Sequence, residues 1–169
     1  AAFEDHRFSQ VSEKELKEEL RQYCIQKNEP AKLLSYLKCF LKEGNDQTCV
    51  KEAKIITSKL NSCVNATDKE FSITKNFNDK STWAGGNFPP FDVYKADNEK
   101  YGVQGSPTLV VNGEQIQAGR DSAGLLAAVC GGFNTQPEEC KKQLSSETPS
   151  SGFGFGDGGA ASAAGGCGQ

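Results

Sequence analysis

Methionine does not occur in this chain, and histidine and tryptophan occur once each, as His6 and Trp83. A sequence without methionine does not start at an initiator, so we read it as processed, trimmed or part of a longer chain. No two cysteines are spaced C-x-x-C. Zinc sites and dithiol redox centres both rely on such short spacings, so neither a metal nor any other cofactor is expected. No apolar run approaches the roughly 20 residues that a membrane span requires. The opening AAFEDHRFSQ has neither a basic start nor an apolar stretch, and no signal peptide is expected there. Net charge is −3 without a long basic run, which argues against nucleic acid and anionic membrane as partners.

What is present is the material of one globular domain. A chain of 169 residues, 36% apolar and 24% charged, can bury one ordinary core but not two. The seven cysteines are Cys24, Cys39, Cys49, Cys63, Cys130, Cys140 and Cys167. A disulfide framework accounts for them better than metal or free thiols. It implies an oxidising, extracytoplasmic setting, the bacterial envelope or a secreted milieu.

Helical patterning dominates the first half. SEKELKEELRQYCIQK places Leu16, Leu20, Tyr23 and Cys24 at i, i+4, i+7 and i+8, with Ser12 or Ser9 available as a cap. A second helix begins at Pro30, a residue tolerated in the first turn. Its stripe is Leu33, Leu37, Phe40 and Leu41, and Gly44 ends it. A short helix is expected over 48–53. In the fourth, Ile56, Leu60, Cys63, Val64, Thr67 and Phe71 recur at helical spacing. At about 100° per residue, Cys24 and Cys63 lie on their helices' apolar stripes, which pairs them across a shared core. Cys39 lies about 200° from the centre of its stripe and is expected to point away from that core, toward Cys49 beyond the Gly44-Asn45-Asp46 turn. Cys130 and Cys140 flank the turn-rich GGFNTQPEE and should close it. Six cysteines allow 15 connectivities, so other pairings stay open.

After Asn76 the pattern changes. Gly85-Gly86 and Pro89-Pro90 punctuate an irregular stretch, with one short helix expected over 92–99. TLVVNGEQIQAG then reads as a hairpin, because Asn-Gly is the preferred pair of a two-residue type I′ turn. Asp121 or Ser122 should cap an amphipathic helix carrying Leu125, Leu126 and Val129. From about Ser145 the composition is rich in Gly, Ser and Ala, and the segment reads as a flexible tail. Cys167 in that tail has no nearby basic group and reads as an inert thiol, with exchange or cross-linking as the alternative. The sequon Asn65-Ala66-Thr67 lies inside the fourth helix, with Thr67 on its apolar stripe, and is read as chance. His6 reads as a solvated side chain. Trp83 reads as a core anchor, with a groove-lining role as the alternative.

The parts between residues 101 and 133 follow one another as G-V-x-G-S-P-T, apolar strand, Asn-Gly turn, second strand and capped helix. This order resembles the C-terminal half of a thioredoxin fold. More narrowly, it is similar to DsbA-like thiol–disulfide oxidoreductases, in which a helical insertion precedes such a segment. The resemblance covers roughly residues 12–140. It implies a cis bond between Ser106 and Pro107, the isomer that proline alone makes accessible. It also implies that Gly105, Ser106 and Pro107 form a loop on which an extended substrate segment docks. A trans proline opening a strand is the competing reading. Family members carry C-x-x-C at the start of a helix, where the attacking thiol is acidified. This chain lacks that pair, and no catalytic residue is carried over.

The expected fold class is therefore α+β or α/β: an incomplete thioredoxin-like fold with a four-helix, disulfide-stapled insertion, a hairpin and a final helix. The expected divisions are a strand remnant or frayed terminus at 1–11, the insertion at 12–76, the thioredoxin-like half at 77–144 and the tail at 145–169. Three functions compete. The chain is part of a thiol–disulfide oxidoreductase without its dithiol, or a redox-dead peptide-binding module, or a disulfide-stapled interaction protein. The expected partners are extended polypeptides bearing cysteines, with self-association as a further option.

Overall fold

The computed structural model describes residues 13–86, 88–105 and 108–148. The expected strand remnant, His6, both cap candidates of the first helix, Ser106, Pro107, most of the tail and Cys167 lie outside the described residues. Within them the chain is α+β, with seven α-helices and one two-stranded antiparallel sheet. In order these are α1 (Glu13–Asn28), α2 (Pro30–Glu43), α3 (Asp46–Glu52), α4 (Thr57–Phe71), α5 (Ile73–Asn78), α6 (Lys95–Lys100), β1 (Leu109–Val111), β2 (Glu114–Ile116) and α7 (Ser122–Cys130).

Helix α1 serves two cores. Its N-terminal half puts Leu16 and Leu20 against Ile73 and Phe91, with Val64, Phe71, Phe77 and Val93 around them. Its C-terminal half puts Cys24 and Ile25 among Tyr36, Cys39, Cys49, Val50, Ile55 and Leu60. Cys24 is bonded to Cys63 of α4, with their Cα atoms 5.8 Å apart. The buried Thr67 hydroxyl finds its partners in those sulfurs, 3.9 Å from Cys24 Sγ and 3.8 Å from Cys63 Sγ. That occupation of Thr67 agrees with its place on the apolar stripe of α4.

Helix α2 departs from the stripe drawn on its sequence. Leu33, Leu37 and Phe40 do pack against the core, but Tyr36 and Cys39 are its most deeply buried residues. Cys39, at 9% exposure, lies inside the core that it was expected to face away from. The reason is α3, which folds back across α2 and covers a second face of it. Gly44, left-handed at φ 65°, ends α2 with its N–H on the Phe40 carbonyl, and Asn45 Oδ1 then accepts from Thr48 N to start α3. The return brings Cys39 and Cys49 to a Cα separation of 5.4 Å, and the two are bonded.

One carboxylate is buried at this junction. Glu18, 8% exposed, accepts hydrogen bonds from Tyr36 Oη at 2.6 Å, from Gln22 Nε2 at 3.0 Å and from Arg21. Arg21 also reaches Asp46 at 2.5 Å, tying α1 to α3. Burial, and then the bond to Glu18, raise the Tyr36 phenol well above its ordinary pKa, so it remains a donor. Among the described residues no buried side-chain polar atom lacks a partner.

The fourth expected helix is observed as α4 and ends at Phe71, where its stripe ends; a further short helix, α5, follows directly. Ser72 adopts a left-handed backbone at φ 53°, and Asp68 fixes the break by accepting from both the N–H and the hydroxyl of Thr74. A 3-10 turn, Lys80–Thr82, leads to Trp83, whose indole donates to the Asn76 carbonyl at 2.9 Å while its ring leans on Phe77. Trp83 is buried and takes the core-anchor role.

The hairpin has the expected turn. Leu109 pairs with Ile116 and Val111 with Glu114, and Asn112 and Gly113 are both at positive φ, 53° and 90°. Asp121 Oδ1 caps α7 through Gly124 N, and the Ser145 carbonyl accepts from Ala123 N at the same helix end. At the other end, Asn112 Nδ2 donates to the Gly132 carbonyl at 2.7 Å. A Cβ on Gly132 would stand 2.6 Å from Val111 Cγ1, so only glycine lets the helix exit approach the strand. Cys130 is bonded to Cys140, Cα atoms 5.8 Å apart. The expected amphipathicity of α7 is not observed. The helix carries no charged residue, and Leu125 and Val129 face outward.

Loop length ranks the three cross-links. The Cys24–Cys63 bond spans 39 residues and the other two span 10 each; chain entropy assigns about 4 kcal/mol to the long loop and about 2.7 kcal/mol to each short one. Chemical denaturation of a Cys24→Ala/Cys63→Ala variant should therefore show the largest loss of the three pairs. A smaller loss than that of Cys130→Ala/Cys140→Ala would contradict this ranking.

A second prediction concerns pH. Glu29 accepts from Lys32 and, at 2.9 Å, from Ile56 N at the start of α4, and these bonds hold its pKa below the ordinary carboxylate value. A lowered folded pKa means stability that is present above the unfolded value, near pH 4, and is lost as pH falls through the folded one. Glu29→Gln should be less stable than the parent at pH 6–7, and the gap should close on acidification below about pH 4. A gap that does not change with pH would show that the charge of Glu29 is not used.

Candidate functional site

The resemblance directs attention to the loop between α6 and β1. Gly102, left-handed at φ 63°, terminates α6 with its N–H on Glu99 O, and Val103 N bonds Asn98 O at 2.8 Å. The chain then turns outward through Gln104 and Gly105, both exposed. Ser106 and Pro107, and with them the expected cis bond, lie outside the described residues. On the far side, Thr108 Oγ1 donates to the Gly105 carbonyl, closing the loop onto itself.

A β2 side chain holds the entrance of this loop. Gln115 Nε2 donates to Tyr101 O at 2.6 Å and to Gly102 O at 2.9 Å. These two carbonyls lie at the C-terminal end of α6, where helical carbonyls lack intrahelical donors. The hairpin thus fixes the segment that feeds the loop, and the loop in turn feeds β1. The sequence reading missed Gln115. A glutamine in the middle of a three-residue strand is a weak signal without the fold.

An open groove of about 520 Å³ ends at the same loop. One wall is Phe88, Pro89, Pro90 and Phe91; the other includes Val103 and Gln104. Asp92, Lys95 and Glu99 lie among its polar lining residues. The Gly85-Gly86 turn shapes the first wall, with both glycines at positive φ and an Ala84–Phe88 bridge behind them. Phe91 continues from the groove into the core with Leu16, Leu20 and Ile73, so the helical part supports that wall directly. Trp83 is not among the lining residues. The sequence carried one signal of the groove, a proline pair bracketed by aromatics in Phe88-Pro89-Pro90-Phe91.

The chemistry available here is that of binding. Prolines and phenylalanines offer apolar contact without mobile side chains to order, and the exposed backbone at Gln104 and Gly105 offers hydrogen bonds to an extended chain. The six described cysteines are all in disulfides, in α1–α4 and beside α7, and none lines the groove. Among the described residues no group of three or more His, Cys, Asp or Glu could hold a metal ion. No helix there is long and apolar enough to cross a membrane.

Comparison of the chain with protein-family models, with curated proteins and with solved structures returns no match.

Replacing Gln115 with Leu should leave the hairpin paired but free the loop entrance. Amide exchange over 102–105 should accelerate, with a global cost of about 1 kcal/mol. Unchanged exchange in that segment would show that the two side-chain bonds do not hold the loop.

Proposed function

We propose that this chain is the substrate-docking portion of a thioredoxin-like, DsbA-like thiol–disulfide oxidoreductase, and that it binds extended cysteine-bearing polypeptides without exchanging disulfides through a dithiol of its own. The observation that carries this reading is the convergence of an apolar groove on the outward loop that opens β1, with Gln115 holding the loop entrance. The order of α6, loop, type I′ hairpin and capped helix supports the family reading. An extracytoplasmic compartment accords with the three disulfides. The thioredoxin-like assignment also makes use of an otherwise unexplained feature: β1 pairs only with β2 among the described residues, which leaves its other edge for a further strand.

A redox-dead peptide-binding module is the second reading, favoured by the pairing of all six described cysteines in structural cross-links. Both readings require a peptide site, whereas a purely structural protein does not.

An unfolded, S-alkylated polypeptide titrated into the chain should perturb the amide resonances of Phe88, Phe91, Val103 and Gly105. Val103→Asp, which places a charge on the apolar wall, should weaken binding at least about tenfold. Insulin reduction by the chain should show no turnover. Absence of binding would remove both docking readings in favour of the structural one, and dithiol-dependent turnover would overturn the claim that the chain has no redox pair.

A further inference from the structure

Helix α7 is apolar all round, without a single charged residue. Helices of that composition belong inside a core, yet Leu125 and Val129, one turn apart on one face, are 44% and 46% exposed, and Phe133 just beyond the helix is 49% exposed. Three half-exposed side chains amount to on the order of 300 Å², well short of the roughly 800 Å² per partner that a stable dimer buries. The cover this face calls for is therefore small.

The chain carries one segment of the right size. From residue 149 onward, Phe153 and Phe155 are the only aromatic or branched aliphatic side chains, set in Gly152-Phe153-Gly154-Phe155-Gly156. In an extended backbone, residues i and i+2 project from one face about 6.6 Å apart. Residues i and i+4 of a helix are separated by about 6 Å along its axis, so two such rings match Leu125 and Val129 in pitch. Flanking glycines let the backbone approach the helix closely. The starting point is also correct. The carbonyl of Ser145 is bonded to Ala123 N, so the last described residues start from the first turn of α7. Phe153 and Phe155 lie five and seven residues beyond Thr148, a reach of up to about 17–24 Å, against a helix about 13.5 Å long.

We propose that residues 152–156 cover the outer face of α7, with the rings of Phe153 and Phe155 on Leu125 and Val129. This goes beyond the docking function and is independent of the groove.

The test compares the full chain with its Phe153→Ser/Phe155→Ser variant by NMR of labelled methyl groups. In the full chain the Leu125 and Val129 methyls should be displaced upfield by ring currents and show contacts to phenylalanine ring protons. In the variant both features should vanish, and the amides over 126–130 should exchange several-fold faster, up to about tenfold. Two results would overturn the proposal. One is a pair of methyl spectra that do not differ between the proteins. The other is a dependence of the Leu125 and Val129 shifts on protein concentration, which would assign the face to a second copy.

Discussion

The covalent tie between Cys24 and Cys63 holds α1 against α4, and nearly everything else in the helical part is arranged about α1. One half of that helix closes the core around Ile73 and Phe91, the other the core around Tyr36 and the Cys39–Cys49 bond. Between them lies Glu18, a carboxylate that is tolerable in a buried place only because three donors surround it. Removing one partner from such a group costs more than the bond itself is worth, since the charge stays buried. A sliding movement of α1 would open both cores and strand Glu18 at once, so the disulfide, the apolar stripe and the ionic network all resist the same displacement.

That rigidity reaches the groove through a single residue in particular. Phe91 belongs to the core of α1 and α5 and also lines the cleft, so the Pro89-Pro90 wall is fixed by the helical part. The opposite wall rests on less. The segment from Gly102 to Gly105 is held by backbone bonds to α6 and by the amide of Gln115, and β1 behind it is only half-buried. One wall is thus firm and the other a lightly held loop, of the kind that opens locally at low cost.

Much of the local structure was legible in the sequence because short-range chemistry decides it. Asn112-Gly113 makes a type I′ turn for conformational reasons internal to the pair, and Gly44 ends α2 because it adopts a left-handed backbone without strain. The three cysteine pairings agree with those expected, although the expectation for Cys39 rests on a mistaken premise. The wheel assumed one buried face for α2, and α3 supplies a second. Helix α5 is not legible in the sequence, because the turn that starts it at Ser72 depends on Asp68 reaching Thr74, a side-chain capture rather than a glycine or proline signal. The composition of α7 was read as amphipathic when it has no polar face.

By itself the sequence determined most of the helical segments, where the hairpin turns, that the six described cysteines form disulfides, and that the chain holds no C-x-x-C pair. These depend on residues within a few positions of one another, or on simple counts. Tertiary structure alone decided that α2 is covered on two faces, that Glu18 is satisfied at the meeting of three helices, and that Gln115 holds the loop before β1. It also decided that Phe88-Pro89-Pro90-Phe91 and Val103 form one groove. Each of these depends on at least one contact between groups 10 or more positions apart, as between Glu18 and Tyr36, and nothing in the local chemistry of either partner specifies the other until packing has brought them together.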